Sequence, residues 1–266
     1  MGRYLSTKQR WVAQRFDASD NLVVSGRLLD GIGFLTGCAA GGGGCSGGTE
    51  FQSTNTDNFS NGGGSGQAVI DYPIELVAGE TLAVVLGAAG TGGAAVVRST
   101  SGTTLGNDGG DASDLTISRS GTVIFTLRGG KGGTYVTGGA GLGGGGTLAD
   151  VARVVQGVDG GDNTADAAIC GVHDPGSEGT DDTTSNTAYG GHGGAPSAFG
   201  NGGDGGDGDS IGTGSATGTA GTDGVSGAGG GGGGEAKCGA TGPATSGAGG
   251  DGGDGFIIVR YLVEGD

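Results

Sequence analysis

The chain has 266 residues, of which 73 are Gly, and its formal net charge is −16 with an isoelectric point near 4.2. A glycine share of roughly four times the usual ~7%, with less than ~20% Val, Ile, Leu and Phe, is typical of disordered chains, whereas 4 Pro residues are far too few for collagen. The sequence has no run of ~18 apolar residues that could cross a membrane, its N-terminal residues lack the apolar segment of a secretory signal, and its acidity disfavours nucleic-acid binding.

The N-terminal segment, residues 1–25, is basic and aromatic, whereas the rest of the chain is acidic. We predict that it is an arm that attaches the protein to a partner subunit, with the only Trp of the chain as its anchor. A solvated, frayed terminus is the alternative. The residues assigned to attachment are Arg3, Tyr4, Lys8, Arg10, Trp11, Arg15 and Phe16.

Short β-branched runs bounded by Gly, Asp or Ser follow the arm and predict an all-β fold, a small antiparallel, jelly-roll-like β-sandwich. Residues 78–80 and 120–121 have the composition of turns between strands. A short helix is predicted over 148–158. The predicted strands are 21–24, 26–30, 32–35, 67–76, 80–86, 114–118, 122–127 and 256–263.

The glycine-rich stretches repeat Gly at every third residue, for example over 218–233 and 247–255. Three residues per turn is the period of the polyproline II helix, which has no internal hydrogen bonds. Glycine helices of this type can pack side by side and exchange backbone hydrogen bonds, so that main chain replaces side chains as the interior. We therefore predict a sandwich domain over 26–263 in which 130–255 is mainly a polyglycine II insertion; a flexible linker is the alternative.

Chemistry-bearing motifs are few. A Gly-x-Ser-x-Gly match at 44–48 is expected by chance at this glycine content, and His173 and His192 lie in Gly/Asp-rich stretches rather than beside a nucleophile. We therefore expect neither an enzyme nor a cofactor. Residues 249–257 and, in part, 202–210 fit the nonapeptide pattern of calcium β-rolls. That pattern makes four Asp residues calcium candidates: Asp204, Asp207, Asp251 and Asp254.

The Cys count is even and allows two disulfides with three connectivities, although buried free thiols are the default for a protein assembled in a reducing cytoplasm. Cys38 and Cys45 flank a glycine-rich loop that a disulfide could close. The four candidates are Cys38, Cys45, Cys170 and Cys238.

The order of these segments resembles a known family. A strand runs into consecutive glycines over 34–48 (FLTGCAAGGGGCSGG), VAGETL follows at 77–82, and GGDGGDGFIIVRY closes the domain at 249–261. This layout resembles the glycine-rich domains at the tips of bacteriophage tail fibres and other virion appendages, and it is also similar to the glycine-rich region of anaplastic lymphoma kinase receptors. The resemblance covers roughly residues 26–263.

The phage resemblance implies a structural protein on the exterior of a virion, assembled in the host cytoplasm, that binds other virion proteins through the N-terminal arm. In tail-fibre members it implies recognition of a host glycan or outer-membrane protein by distal loops, and trimers are common among fibres. The candidate receptor-facing residues are Tyr135, Tyr189, His192 and Phe199. The alternatives are a collar or capsid decoration protein without receptor binding, a calcium β-roll and an ice-binding polyglycine protein.

Overall fold

A computed structural model describes residues 8–51, 58–99, 102–137, 154–156, 159, 174, 176–183, 187–239 and 242–265. These residues form strands, turns and extended segments, and no helix occurs among them. Accordingly, the part of the chain that is described has no helix able to cross a membrane.

Two antiparallel sheets form the sandwich, with the strand orders β1-β17-β3-β6-β12 and β10-β9-β7-β2. The first sheet consists of β1 (Gln9–Phe16), β3 (Leu28–Cys38), β6 (Ala68–Glu75), β12 (Val154–Val155) and β17 (Phe256–Glu264). The second consists of β2 (Asp20–Val23), β7 (Thr81–Val85), β9 (Leu115–Arg119) and β10 (Thr122–Leu127). Short strands form three small sheets: β4 (Thr49–Phe51), β5 (Asn58–Ser60), β8 (Val97–Arg98), β11 (Tyr135–Thr137), β13 (Asp209–Ile211), β14 (Ala216–Thr217), β15 (Ala236–Cys238) and β16 (Ala244–Thr245).

The sandwich core forms because apolar side chains alternate along its strands and point to one face. Leu82 and Val84 of β7, for example, are buried, while their neighbours are exposed. Both sheets contribute to one buried cluster that includes Leu35, Leu115 and Ile257. The predicted all-β sandwich is confirmed. The turn at 120–121 is confirmed as well, because both of its residues have the positive φ of a tight hairpin.

Two predictions for local structure were wrong. Gln9–Phe16 is not a separate arm: it pairs along its whole length with β17, and β2 joins the other sheet, so no break in the fold occurs at residue 25. Val154 and Val155 form a strand paired with β6 rather than part of a helix, because their branched side chains suit an extended, half-buried edge. The other residues of the predicted helix, apart from Gln156, lie outside the described residues.

The rest of the described chain is a bundle of extended glycine-rich segments, which we call rods and number in chain order. Their ranges are rod 1 (39–48), rod 2 (61–67), rod 3 (87–94), rod 4 (105–114), rod 5 (128–134), rod 6 (176–182), rod 7 (188–195), rod 8 (201–208), rod 9 (218–225), rod 10 (228–235) and rod 11 (246–255).

Rod 1 is surrounded by six neighbours. Its backbone N–H groups donate in turn to rods 2, 4 and 11, and every third residue addresses the same partner; Gly41, Gly44 and Gly47 all donate to rod 11. Its carbonyl groups accept from rods 3, 5 and 10 in the same period. A repeat of three residues identifies the rod as a polyglycine II helix, whose backbone groups all point outward to partners.

Rod 10 is the second central rod. It donates to rods 1, 7 and 9 and accepts from rods 2, 8 and 11. The two central rods hold the glycine runs 41–44 and 229–234, of which the second is the longest in the chain. A Cβ at any of these ten positions would lie under 3.0 Å from an atom of a neighbouring backbone. Where neighbouring backbone lies this close, only glycine fits, although rod 1 also holds Cys45 and Ser46 at two positions between its glycines.

Six rods continue directly from sandwich strands. Rods 1, 3 and 5 follow β3, β7 and β10, and rods 2, 4 and 11 lead into β6, β9 and β17. The sandwich thus aligns rod 1 and five of its neighbours, while rod 10 supplies the sixth. The polyglycine structure therefore begins at residue 39 and is not confined to the predicted insertion at 130–255.

Candidate functional site

The outer face of the first sheet carries two of the described attachment candidates, Trp11 and Arg15. Trp11 is 56% exposed and its ring lies 6.0 Å from that of Phe34, with the Arg260 guanidinium 5.7 Å from the Trp11 ring. On the same face of β1, the Arg15 guanidinium lies 4.2 Å from the Phe256 ring and forms an ion pair with Asp17. Aromatic rings and guanidinium groups thus alternate on this exposed face, which is a composition enriched at protein interfaces.

The other attachment candidates differ in position. Phe16 points to the opposite face of β1 and is 3% exposed in the sandwich core, so its assignment to an interface was wrong. Lys8 and Arg10 are exposed at the start of the strand. Arg3 and Tyr4 lie outside the described residues.

The four candidate receptor-facing residues do not form exposed loops. Tyr135 packs beside rod 1 with its hydroxyl buried, and Phe199 packs edge-on against Phe256 at 5.1 Å. Tyr189 lies beneath the Lys237 ammonium at 5.1 Å, and the His192 Nδ1 lies 3.1 Å from the Glu178 carboxylate. These large side chains cover the ends and flanks of the rods, where neighbouring backbone leaves room for them.

The described cysteines Cys38, Cys45 and Cys238 are buried free thiols, so no disulfide joins them. Burial raises the pKa of the Cys38 and Cys45 thiols to about 12, which keeps both protonated. Each described thiol has a local hydrogen-bond contact instead; the Cys45 sulfur accepts from the Asn61 N–H. Cys170 lies outside the described residues.

The Asp residues that fit the calcium pattern do not converge, and the described residues contain no group of three or more His, Cys, Asp or Glu side chains able to hold a metal. Asp204 and Asp207 instead accept hydrogen bonds from Ser177 and Thr180 of rod 6. Their spacing of three residues reflects the rod period, because both side chains point out of the same face of rod 8.

An open groove runs between rods 3, 9 and 11, with a volume of about 300 Å³. Its exposed polar side chains are Thr91, Asp223, Asp251 and Asp254. The Asp251 carboxylate accepts from the Gly92 N–H at 2.6 Å, and the Asp223 carboxylate accepts from the Asp251 N–H at 2.8 Å. Asp254 is exposed at the rim, so the groove presents carboxylates on a rigid backbone floor.

A buried ion cluster lies where both central rods end. We use this name for Glu50 on β4, Glu235 at the end of rod 10 and Lys237 on β15. The Lys237 Nζ is 3.3 Å from Glu50 Oε2 and 3.4 Å from Glu235 Oε2. All three side chains are at most 2% exposed. Charged groups are almost never buried to this degree unless they are paired.

Burial also governs protonation in the cluster. It raises the pKa of the Glu235 carboxyl to about 8, against the lowering effect of Lys237 and with a further raising effect of Glu50. Burial likewise raises the pKa of the nearby Tyr135 phenol. At neutral pH the Glu235 carboxyl is therefore mainly protonated.

Sequence reasoning missed this cluster. Its residues follow the glycine runs of the two central rods, in the segments Thr49-Glu50-Phe51 and Glu235-Ala236-Lys237. That placement could have indicated burial of these charged residues, because the end of a fully surrounded rod is itself surrounded. The pairing of Lys237 with Glu50 depends on the parallel register of β4 and β15, which the sequence does not reveal.

Comparison with protein families gives a match to the model of a glycine-rich domain over residues 29–262. No curated protein matches the chain. The match spans both the sandwich and the rods, from β3 to β17.

Proposed function

This chain belongs to the glycine-rich domain family, and on that premise we propose that it is a phage virion structural protein, exposed on the particle as a tail fibre, fibre tip or similar appendage. It attaches to other virion proteins through the outer face of the first sheet and contributes to recognition of the host surface through the groove between rods 3, 9 and 11. The observation that carries the proposal is the bundle itself, whose interior is built from backbone.

An interior built from backbone leaves the outward side chains of the rods free to form a binding surface. In rods 8 and 9 the side chains of Asp204, Asp207, Thr219 and Thr222 are exposed, while the glycines between them face neighbouring backbone. These outward side chains can therefore change without repacking an interior. The net charge of −16 keeps such a surface soluble through self-repulsion.

The groove has the chemistry of a glycan site. Carboxylates and backbone groups on a rigid frame accept and donate hydrogen bonds to sugar hydroxyls, and a volume of about 300 Å³ is at the lower end of the range for small-molecule sites. Asp254 is the best residue to substitute, because the carboxylates of Asp223 and Asp251 also accept hydrogen bonds from backbone N–H groups. We therefore place a host glycan ahead of an outer-membrane protein as the ligand.

Recognition is tested by adsorption of the labelled protein to a panel of intact bacterial strains and by its ability to block phage infection. We expect adsorption to at least one strain, survival of adsorption after protease treatment of the cells, and a clear loss in Asp254→Asn. Asp30→Asn is the matched control, because Asp30 is exposed near the start of β3, far along that strand from rod 1. Equal adsorption by both variants would contradict host recognition through the groove.

Attachment is tested with Trp11→Ala, which removes the exposed aromatic ring while leaving the pairing of β1 with β17 intact. We expect reduced incorporation into particles without a change in melting temperature. Val23→Ala is the control, because Val23 is 63% exposed on the other sheet. Unchanged incorporation of the Trp11 variant contradicts attachment through this face.

The second candidate is a collar or capsid decoration protein that binds no receptor. The packing of Tyr135 against rod 1 and of Phe199 against Phe256 favours it, because partly buried rings offer less surface to a ligand. Absence of adsorption to every strain, with normal incorporation into particles, would select this function.

A further inference from the structure

We propose that the buried ion cluster is a site of autocatalytic cross-linking, in which the Lys237 amine and the Glu50 carboxyl condense to an intramolecular amide bond with Glu235 as the proton-transferring catalytic residue. This inference does not depend on the proposed virion function.

The fold holds the reacting groups together before any chemistry occurs. β4 and β15 are parallel neighbours, and their register sets Lys237 directly opposite Glu50. The Lys237 Nζ lies 3.3 Å from Glu50 Oε2, and Glu235 Oε2 lies 3.4 Å from the same nitrogen. These contacts hold the Lys237 nitrogen beside the Glu50 carboxyl group, so that an encounter in solution is replaced by an intramolecular step.

The surroundings exclude water. Lys237 is the largest of the fully buried side chains among the described residues, at 1% exposed, and the ring of Tyr189 covers its ammonium. In water an amine is protonated and the carboxylate is a poor electrophile. A dry site favours the neutral amine and acid over two separate ions, because burying each charge is costly.

Glu235 has the features of a proton relay. One of its oxygens, Oε2, contacts the Lys237 nitrogen, while the buried Oε1 has no hydrogen-bond partner in the described part of the chain. Burial raises the pKa of this carboxyl to about 8, so a proton is present at neutral pH. A carboxylic acid beside the reacting nitrogen can accept a proton at one oxygen and deliver a proton from the other.

The step balances without an oxidant or a co-reactant. The Lys237 ammonium passes one proton to the Glu50 carboxylate, and the neutral nitrogen then attacks the Glu50 Cδ to form the new N–C bond. Glu235 accepts a proton from that nitrogen and donates its own to the departing Glu50 hydroxyl. The C–O bond breaks, one water molecule leaves, and Glu235 returns to its starting protonated form.

The bond would join the ends of the two central rods. It would remove the charges of Lys237 and Glu50 from the interior and leave a neutral amide beside a protonated Glu235. Since β4 and β15 follow rods 1 and 10 directly, the cross-link would close the bundle at the end opposite the sandwich.

The test is peptide mapping of the folded full-length protein by mass spectrometry after reduction. We expect a cross-linked pair of peptides containing Lys237 and Glu50, lighter than their sum by one water molecule, and no cleavage after Lys237 by a lysine-specific protease. The exposed pair Lys131 and Asp111, at 2.6 Å, is a control within the same molecule and is expected to remain uncondensed. Complete cleavage after Lys237, with both peptides at their sequence masses, would overturn the proposal.

Two variants test the role of Glu235. Glu235→Gln keeps the shape but removes the transferable proton, and we expect Lys237 to stay cleavable; Glu235→Asp keeps an acid and is expected to retain part of the cross-link. Lys131→Met is the matched control and leaves the cross-link intact. Equal cross-linking in the Gln variant and the wild-type protein would remove Glu235 from the mechanism. The wild-type map alone decides whether the bond forms, even where a variant does not fold.

Discussion

The sandwich and the bundle exclude water by different means within one fold. The sandwich buries Leu, Ile, Val and aromatic side chains between two sheets, whereas the bundle buries backbone groups that are paired with one another. A hydrophobic core tolerates changes of shape at some cost in energy, because side chains can rearrange. The bundle has no side chains to rearrange around its central rods, so a substitution must move backbone or break it.

The largest effect is expected for Gly44→Ala in rod 1. The new Cβ would meet the carbonyl oxygen of Gly231 in rod 10, which is backbone and cannot turn away. We expect a loss of about 4 kcal/mol or more of unfolding free energy, in the range of severe overpacking. Chemical denaturation followed by circular dichroism measures it.

Gly26→Ala is the control for that substitution, because a Cβ there has nothing within 4 Å. Its effect should be within about 0.5 kcal/mol, as for other surface changes. Similar stabilities of the two variants would mean that the rods are not packed as described.

The next effect is expected in the sandwich. Leu82→Ala removes a fully buried side chain and should cost about 3 kcal/mol through lost burial and a cavity. Because rods continue from the strands, we expect amide exchange to accelerate in rods 1 and 3 as well as in β7. Val85→Ala, at 47% exposed on the same strand, is the control. Faster exchange confined to the sandwich would show that the two regions unfold separately.

A third prediction distinguishes the bundle from the sandwich by the pH dependence of stability. The unfolded Glu235 titrates near 4.5 and the folded one near 8, so the folded protein holds an extra proton between these values. Stability is therefore fully present below the unfolded pKa and falls as the pH rises through the folded pKa. We expect a progressive loss of unfolding free energy across that interval, and Glu235→Gln should flatten it.

Glu80 in the sandwich should show the opposite sign. Burial raises its pKa, but the hydrogen bonds from Arg119 and Val77 outweigh that effect and the net pKa is lowered. Its contribution is present above its unfolded value and is lost as the pH falls through the lower, folded value. Melting curves of Glu80→Gln and Glu235→Gln at a series of pH values test both signs together.

The smallest effect is expected on the outer face of the bundle. The Thr222 hydroxyl accepts a hydrogen bond from the Asp204 N–H at 2.7 Å, in an exposed position. Thr222→Ala should cost about 1 kcal/mol, the net value of a typical hydrogen bond. Thr213→Ala, in the exposed bend at 212–214, is the control. A loss as large as that for Gly44→Ala would contradict a tolerant outer face.

Much of the architecture was predictable, because the sequence marks both kinds of interior. Short β-branched runs bounded by Gly, Asp or Ser identified β7, β9, β10 and β17 to within about two residues. Glycine periodicity predicted the rods, and the density of glycine also indicates how fully a rod is surrounded. In rod 8 two of every three residues are glycine and one face points outward, whereas the six consecutive glycines of rod 10 leave no outward face.

What could not be predicted depends on distant neighbours. The sequence predicted an arm because this segment is basic and aromatic, but in β1 Phe16 points toward the core and Trp11 toward solvent. The buried ion cluster depends on which rods become adjacent. Thr49–Phe51 and Ala236–Cys238 pair across most of the chain length, and no local pattern specifies that register.

The continuity of strands and rods also has a mechanical consequence. Rods 1 and 11 run side by side and are joined by backbone hydrogen bonds at regular intervals, and each is covalently continuous with a strand of the same sheet. A tensile force along the strand axis therefore loads many such bonds at once in shear, rather than opening them one after another. The protein is consequently built to resist stretching along this axis far better than peeling across it.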